Sequence, residues 1–326
     1  MDGSWAGRQG GPLRGRIRDR YQERHGLHQP AGLTRQTIDI GGLRRTYWLA
    51  SPPAGDPSVA PLLIVLHSAG GQGPGMASLT GLDRRGPAAG FVTVFPDGQG
   101  RVWNDSRGAR RLQRREHVDD VAFLQALVAR LGDLGRARGE SVYLTGISNG
   151  GLMSEHLARH GLLPVAGVAV IAGPGTATSR ASMPHPARPA SVLIFGGTAD
   201  PLIPYGGGPI GPLGRMVQRR AGGGTDRGLA APAEVVAADW AGTNGVPGGP
   251  AVERLSTPPG ELPVARLTWH SPGKEPVVLF RIEGGGHTWP GEAQYLPERF
   301  IGPTARSVDA TGSLLAQFRP EWGRSG

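Results

Sequence analysis

The residues from Ser141 to His160 read SVYLTGISNGGLMSEHLARH. Val142, Tyr143 and Leu144 make a short β-branched and aromatic run of the kind that forms a buried strand. Gly146-Ile147-Ser148-Asn149-Gly150 follows, and Leu152, Met153, His156 and Leu157 then recur along one side of a helix. A strand that passes through Gly-x-Ser-x-Gly into a helix turns so sharply that Ser148 is expected in a strained backbone conformation, its hydroxyl pushed out above the sheet. Gly146 and Gly150 lack a Cβ, so strand and helix can close around the turn. Gly151 lets the helix pack tightly on the neighbouring strand. The pentapeptide alone carries little weight. Glycine fills 55 of 326 positions, and a shuffle of this composition yields about half of one such motif. The bland alternative is a Gly-rich turn whose Ser148 only caps the helix. The flanking strand and helix favour a nucleophile, as does what lies downstream.

Composition narrows the classes. With 38% hydrophobic and 19% charged residues over 326 positions, the chain is globular and long enough to bury a sizeable core. No apolar run approaches the roughly 20 residues of a membrane span. The N-terminal MDGSWAGRQGGPLRGRIRDR has no hydrophobic segment after its charges, unlike a signal peptide. The absence of cysteine excludes disulfides, thiolate metal sites and a cysteine nucleophile together. The net charge of +9 is carried almost wholly by arginine, Lys274 being the only lysine. Arginines cluster at Arg8 to Arg24, Arg107 to Arg115 and Arg219-Arg220, but no nucleic-acid motif or aromatic-basic interleaving accompanies them. No nucleic-acid partner is expected.

In chain order, residues 1–33 read as an arginine-rich, poorly packed leader, and 34–326 as a single catalytic domain. Thr37 to Ile40, Gly41-Gly42 and Leu43 to Ala50 form a hairpin pattern with a tight glycine turn. Leu62 to Leu66 is a continuous apolar run, typical of a strand buried on both faces. It runs into His67-Ser68-Ala69-Gly70-Gly71. Gly90 to Pro96 is the next strand. Asp119-Asp120 opens a helix, where capping and structural support are the preferred roles for the acids. Val165 to Ile171, Ser191 to Phe195 and Val277 to Ile282 are further strands. Val252 to Leu255 with Val264 to Trp269 suggests a hairpin. Ala231 to Gly242 and Val308 to Phe318 are helical, and residues 205 to 230 read as a Gly-rich insertion on the rim. Strands alternating with helices predict an α/β fold with a mainly parallel central sheet and helices on both faces.

In such sheets chemistry collects where loops leave the carboxyl ends of strands. Ser148, Asp200 and His287 hold that position, each after an apolar strand and each in a Gly-rich turn. Their chain order is that of the α/β-hydrolase triad. A serine hydroxyl becomes a useful nucleophile when an imidazole takes its proton, the part expected of His287. Asp200 would fix the imidazole tautomer and stabilise the imidazolium. Oxyanion donors are expected from the Asn149 N–H at its helix start and from Ser68 or Ala69 in the loop after Leu66. His67 is expected to order that loop. His270 also ends a strand, but lies before a hairpin loop rather than after the last strand. His156 and His160 sit behind the nucleophile, and Asp226 has no strand before it. No His, Asp or Glu grouping has metal-ligand spacing, so no catalytic metal is expected.

The ordered set of motifs resembles the poly(3-hydroxybutyrate) depolymerase-like serine esterases, relatives of feruloyl and acetylxylan esterases. It comprises Leu66-His67 with its small-residue loop, Phe95-Pro96-Asp97-Gly98, Trp103-Asn104, Val118 to Phe123, Gly146 to Gly151, Gly197 to Asp200 with Pro204-Tyr205, and Gly285 to Pro290. The resemblance spans residues 35 to 318. It implies an α/β-hydrolase fold, no cofactor, the triad Ser148, Asp200 and His287, and a substrate cleft lined by Trp103, Tyr205 and Trp289, beside which His67 is a further substrate-binding candidate. Plain core packing is the competing role for these aromatics. It also implies an ester substrate, small or polymeric, and a secreted or periplasmic setting. Many depolymerase relatives carry cysteine after the His-Gly step, where this chain has Ser68-Ala69. Linker and polymer-binding segments are not found, which favours soluble or amorphous esters. A feruloyl or acetylxylan ester is the alternative substrate. A serine peptidase of the same fold would bring a propeller or cap for which the chain leaves no room, and a non-catalytic binding protein would ordinarily have lost a triad member.

Overall fold

The computed structural model describes residues 30, 32–52, 60–105, 118–177, 183–211 and 228–318. The arginine clusters, most of the N-terminal leader and Asp226 lie outside the described residues.

The chain begins with the antiparallel hairpin β1 (Thr34–Ile40) and β2 (Leu43–Ala50), turned by Gly41 and Gly42 at φ 56° and 75°. Two consecutive left-handed residues make the tight turn that matches strand twist, and glycine adopts it without strain. There follow β3 (Pro61–Leu66), α1 (Gly73–Thr80), α2 (Leu82–Ala88), β4 (Val92–Pro96), α3 (Asp120–Asp133), β5 (Arg138–Ile147), α4 (Asn149–Arg159) and β6 (Val165–Ile171). The second half holds β7 (Thr176–Ala177), β8 (Ser191–Gly197), β9 (Gly208–Pro209), β10 (Leu229–Ala230), α5 (Ala233–Thr243), β11 (Ala251–Arg254), β12 (Val264–Trp269), β13 (Val277–Ile282), α6 (Glu298–Ile301) and α7 (Ala310–Gln317).

One sheet of ten strands runs in the order β1-β2-β4-β3-β5-β6-β8-β13-β12-β11. The six strands from β4 to β13 are parallel, with antiparallel hairpins added at both edges. The side-chain period of two explains the all-apolar β3. Leu62, Ile64 and Leu66 belong to the core on the side of α3, α4 and α5, which also holds Phe123, Met153 and Trp240. Leu63 and Val65 belong to the core on the opposite side, which also holds Met76 of α1 and Leu314 of α7. All five are 0% exposed, and each contributes about 1.5–3 kcal/mol of burial. The strand therefore carries no polar face.

Two departures from the sequence reading stand out. The helices α1 and α2 occupy a stretch rich in glycine and proline, and the rim carries a small sheet in the order β7-β10-β9. Asp119 caps α3 by accepting from the Ala122 N–H at 2.8 Å, the expected supporting role. No described helix is long and apolar enough to cross a membrane.

Candidate active site

β5 delivers Ser148 to the carboxyl edge of the parallel strands, and α4 begins at the next residue. Ser148 has φ 61° and ψ −124°, a conformation that L residues avoid and that costs about 1–3 kcal/mol. Its N–H is held by Ile171 O at 3.0 Å, and its carbonyl starts the helix by accepting from Leu152 N at 2.8 Å. The turn closes only because its neighbours are glycines. A Cβ on Gly150 would lie 2.3 Å from Leu66 O, and one on Gly146 2.5 Å from Gly150 C. Ser148 is half-buried at this corner, as the strand–turn–helix pattern requires.

Asp200 and His287 come from the loops after β8 and β13, neighbouring parallel strands. The loops touch backbone to backbone: Ala199 N–H donates to Gly285 O at 3.0 Å, and a Cβ on Gly197 would lie 2.3 Å from that same oxygen. His287 Nδ1 and Asp200 Oδ2 are 2.7 Å apart, with the two side chains 3% and 2% exposed. The other carboxylate oxygen accepts from Leu202 N at 2.7 Å and Ile203 N at 2.9 Å. Asp200 is thus locked by its own turn, and its bond to Nδ1 leaves Nε2 as the nitrogen that can receive a proton. The His287 main chain is held by Ile301 O and by the Tyr295 hydroxyl, which donates to His287 O at 2.9 Å. Among the described residues no hydrogen bond joins the Ser148 hydroxyl to the imidazole.

The loop after β3 carries the other expected donors. Gly70 and Gly71 N–H are taken by Arg101 O at 2.7 Å and Ser68 O at 2.8 Å. Among the described residues the amides of Ser68 and Ala69 take no main-chain partner, so they remain as donors. His67 is wholly buried, with Nδ1 2.8 Å from Ser68 O and Nε2 accepting from Gly98 N at 2.8 Å. These partners specify the neutral Nδ1–H form, and burial lowers the His67 pKa. It is a strut for the loop, and no face of it reaches a cleft.

Trp103 and Trp289 are 0% exposed, so neither lines an open surface in this structure. The indole of Trp103 donates to His67 O at 2.9 Å, and that of Trp289 to Thr311 Oγ1 at 3.0 Å. Core packing accounts for both. Tyr205 is half-buried, its hydroxyl donating to Glu234 Oε1 at 2.8 Å. His270 is exposed at the end of β12, which runs antiparallel to β13 with Trp269 opposite Val277, the first residue of that strand. It therefore sits at the edge of the sheet away from Ser148, and cannot compete with His287.

Two supporting features escaped the sequence reading. The Asn149 side chain, and not only its N–H, is committed: Oδ1 accepts from Trp103 N at 2.7 Å, while Nδ2 donates to Trp103 O at 3.0 Å and to Asp105 Oδ2 at 2.7 Å. Below this segment the Asp120 carboxylate accepts from Asn104 N at 2.7 Å and from Arg45 at 2.6 Å. The clustered motifs Trp103-Asn104 and Asp119-Asp120 were the available signal, but their partners are distant in the chain. Among the described residues no group of three His, Asp or Glu side chains could hold a metal ion.

No protein-family model matches the chain. It is 30% identical over 288 residues to the protein named "Putative esterase NocK" of Nocardia uniformis subsp. tsuyamanensis, covering 87% of this chain and 82% of the relative. Its fold is similar to that of an acetyl xylan esterase from Aspergillus awamori, with TM-score 0.51 and 15% identity over 78% of this chain and 94% of the other. The mostly parallel central sheet with helices on both faces, and the sharp serine turn after β5, are those of an α/β-hydrolase. The chain belongs to the α/β-hydrolase esterase family represented by the Nocardia relative.

Proposed function

We propose that this protein is a serine carboxylic-ester hydrolase that works through an acyl-enzyme, with Ser148 as nucleophile, His287 as base and acid, and Asp200 orienting the imidazole. The observation that carries the reading is the pairing of a positive-φ serine at the strand-to-helix corner with an Asp200–His287 bond of 2.7 Å at the same sheet edge. Ser148 Oγ attacks the ester carbonyl carbon as its proton passes to His287 Nε2. The carbonyl oxygen becomes an oxyanion facing the Asn149 N–H and the Ser68 or Ala69 N–H. The tetrahedral species then collapses, the carbon–oxygen bond to the alcohol breaks, and His287 returns the proton to the leaving oxygen. Water, deprotonated by the same imidazole, repeats the sequence on the acyl-serine and frees the acid. In substrate-free enzymes the bond from serine to imidazole is commonly long, tightening when substrate excludes water.

Ser148→Ala should abolish turnover of a short-acyl nitrophenyl ester while leaving the circular dichroism spectrum and melting temperature close to wild type. Retained turnover would remove the nucleophile and with it the mechanism. For the substrate, the ordered motifs support a polyester or oligo-hydroxyalkanoate ester, with feruloyl or acetylated-sugar esters as the other reading. Clearing of a polymer emulsion against release of ferulate or acetate separates the two.

A further inference from the structure

We propose that Trp103 is a positioning residue that sets the spacing between the two halves of the oxyanion site, a role that rests on the acyl-enzyme reading above. The halves belong to different elements. One donor is the Asn149 N–H at the start of α4, and the other lies in the loop after β3. The β3–β5 ladder ends at Leu66 opposite Gly146 and the β3–β4 ladder ends at Ile64, so the backbone fixes the two halves only as far as the close approach of Gly150 to the Leu66 and His67 carbonyls. Beyond Leu66 the loop depends on other contacts.

Trp103 grips both halves. Its main-chain N–H and C=O make a two-pronged pair with the Asn149 amide, at 2.7 Å and 3.0 Å. Its indole N–H spans to His67 O at 2.9 Å, one residue before the loop donors. Its ring also lies against the His67 imidazole, with centroids 4.9 Å apart. Trp103 and His67 are 0% exposed and Asn149 1%, so water does not compete for these bonds. The segment carrying Trp103 cannot slide, because Asn104 N is fixed on Asp120 and Asp105 is bonded to Asn149. Oxyanion donors act on an oxygen position that exists only in the transition state. A misplacement well under 1 Å therefore lowers kcat while substrate still binds.

Trp103→Phe keeps an aromatic ring and deletes the N–H to His67. The expected result with a short-acyl nitrophenyl ester is a roughly tenfold fall in kcat with KM within about twofold. The inhibition constant of a trifluoromethyl ketone, which forms the tetrahedral adduct on the serine, should rise by the same factor. Benzothienylalanine at position 103 keeps the indole outline without the N–H, and supplies the same measurement if the phenylalanine variant does not fold. Wild-type kcat in either substituted protein, or a loss confined to KM or melting temperature, overturns the clamp. A wild-type enzyme neither inhibited by the ketone nor labelled at Ser148 by a fluorophosphonate overturns the acyl-enzyme reading instead.

Discussion

Ser148 shows how one residue can be strained for the sake of its side chain. At φ 61° and ψ −124° an alanine would suffer the same backbone cost as serine, whereas glycine would not. Ser148→Gly should therefore be more stable than Ser148→Ala by about 1 kcal/mol in urea unfolding, with equal m-values. Equal midpoints, or a more stable alanine variant, would show that the turn is not strained. This residue was legible because its signal is local: an apolar strand, two obligatory glycines and a helix lie within a dozen positions. The placement of Asp200 and His287 at the same sheet edge was legible for the same reason, each ending an apolar strand in a glycine turn. The tryptophans were not. Whether an indole faces a cleft or the core depends on the partner of its N–H, and Trp103 finds His67 O across 36 positions while Trp289 finds Thr311.

Among the elements, α3 does more than cover the sheet. Its first residue, Asp120, faces Arg45 of β2 with the side chains 1% and 2% exposed, and also anchors the Asn104 amide. Removing the carboxylate leaves a buried guanidinium facing an apolar methyl, a change that costs about 3–5 kcal/mol. Asp120→Ala should lose stability in that range by urea unfolding, whereas Asp119→Ala, which removes only an exposed cap, should lose about 1 kcal/mol. Similar losses from the two would place the ion pair among surface pairs of little worth. The mainly parallel direction of the central strands followed from apolar runs separated by helical patterns, and β6 and β13 occupy the spans expected of them. The order of strands across the sheet was not read from the sequence. The helices α1 and α2 were left unassigned because glycines and prolines interrupt any helical pattern there. The reason for one of them is visible only in three dimensions: a Cβ on Gly86 would lie 2.2 Å from Thr93 Oγ1 of β4. That glycine is a contact site for a neighbouring strand. Periodicity cannot report it.

At the scale of the whole molecule, the response to acid combines two effects that salt can separate. The chain carries +9 at neutral pH, and further protonation adds self-repulsion. Separately, the His156 pKa is lowered from its ordinary 6.5 to about 4, first by burial and then by neighbouring His160, whose ring lies 4.6 Å away. Burial also lowers His67. A lowered folded pKa means that the unfolded chain binds the proton more readily, so stability rises with pH across this window. The contribution is complete above about pH 6.5 and is lost progressively as pH falls towards about 4, amounting to about 1–3 kcal/mol for His156. His156→Gln should therefore lose less stability than wild type between about pH 7 and about pH 4.5 in urea titrations. At about 1 M salt the screening length falls to about 3 Å and self-repulsion fades, but desolvation does not. The difference between variant and wild type should survive in salt. If it disappears there, repulsion rather than burial controls His156, and if it is absent at all ionic strengths the ring is open to water.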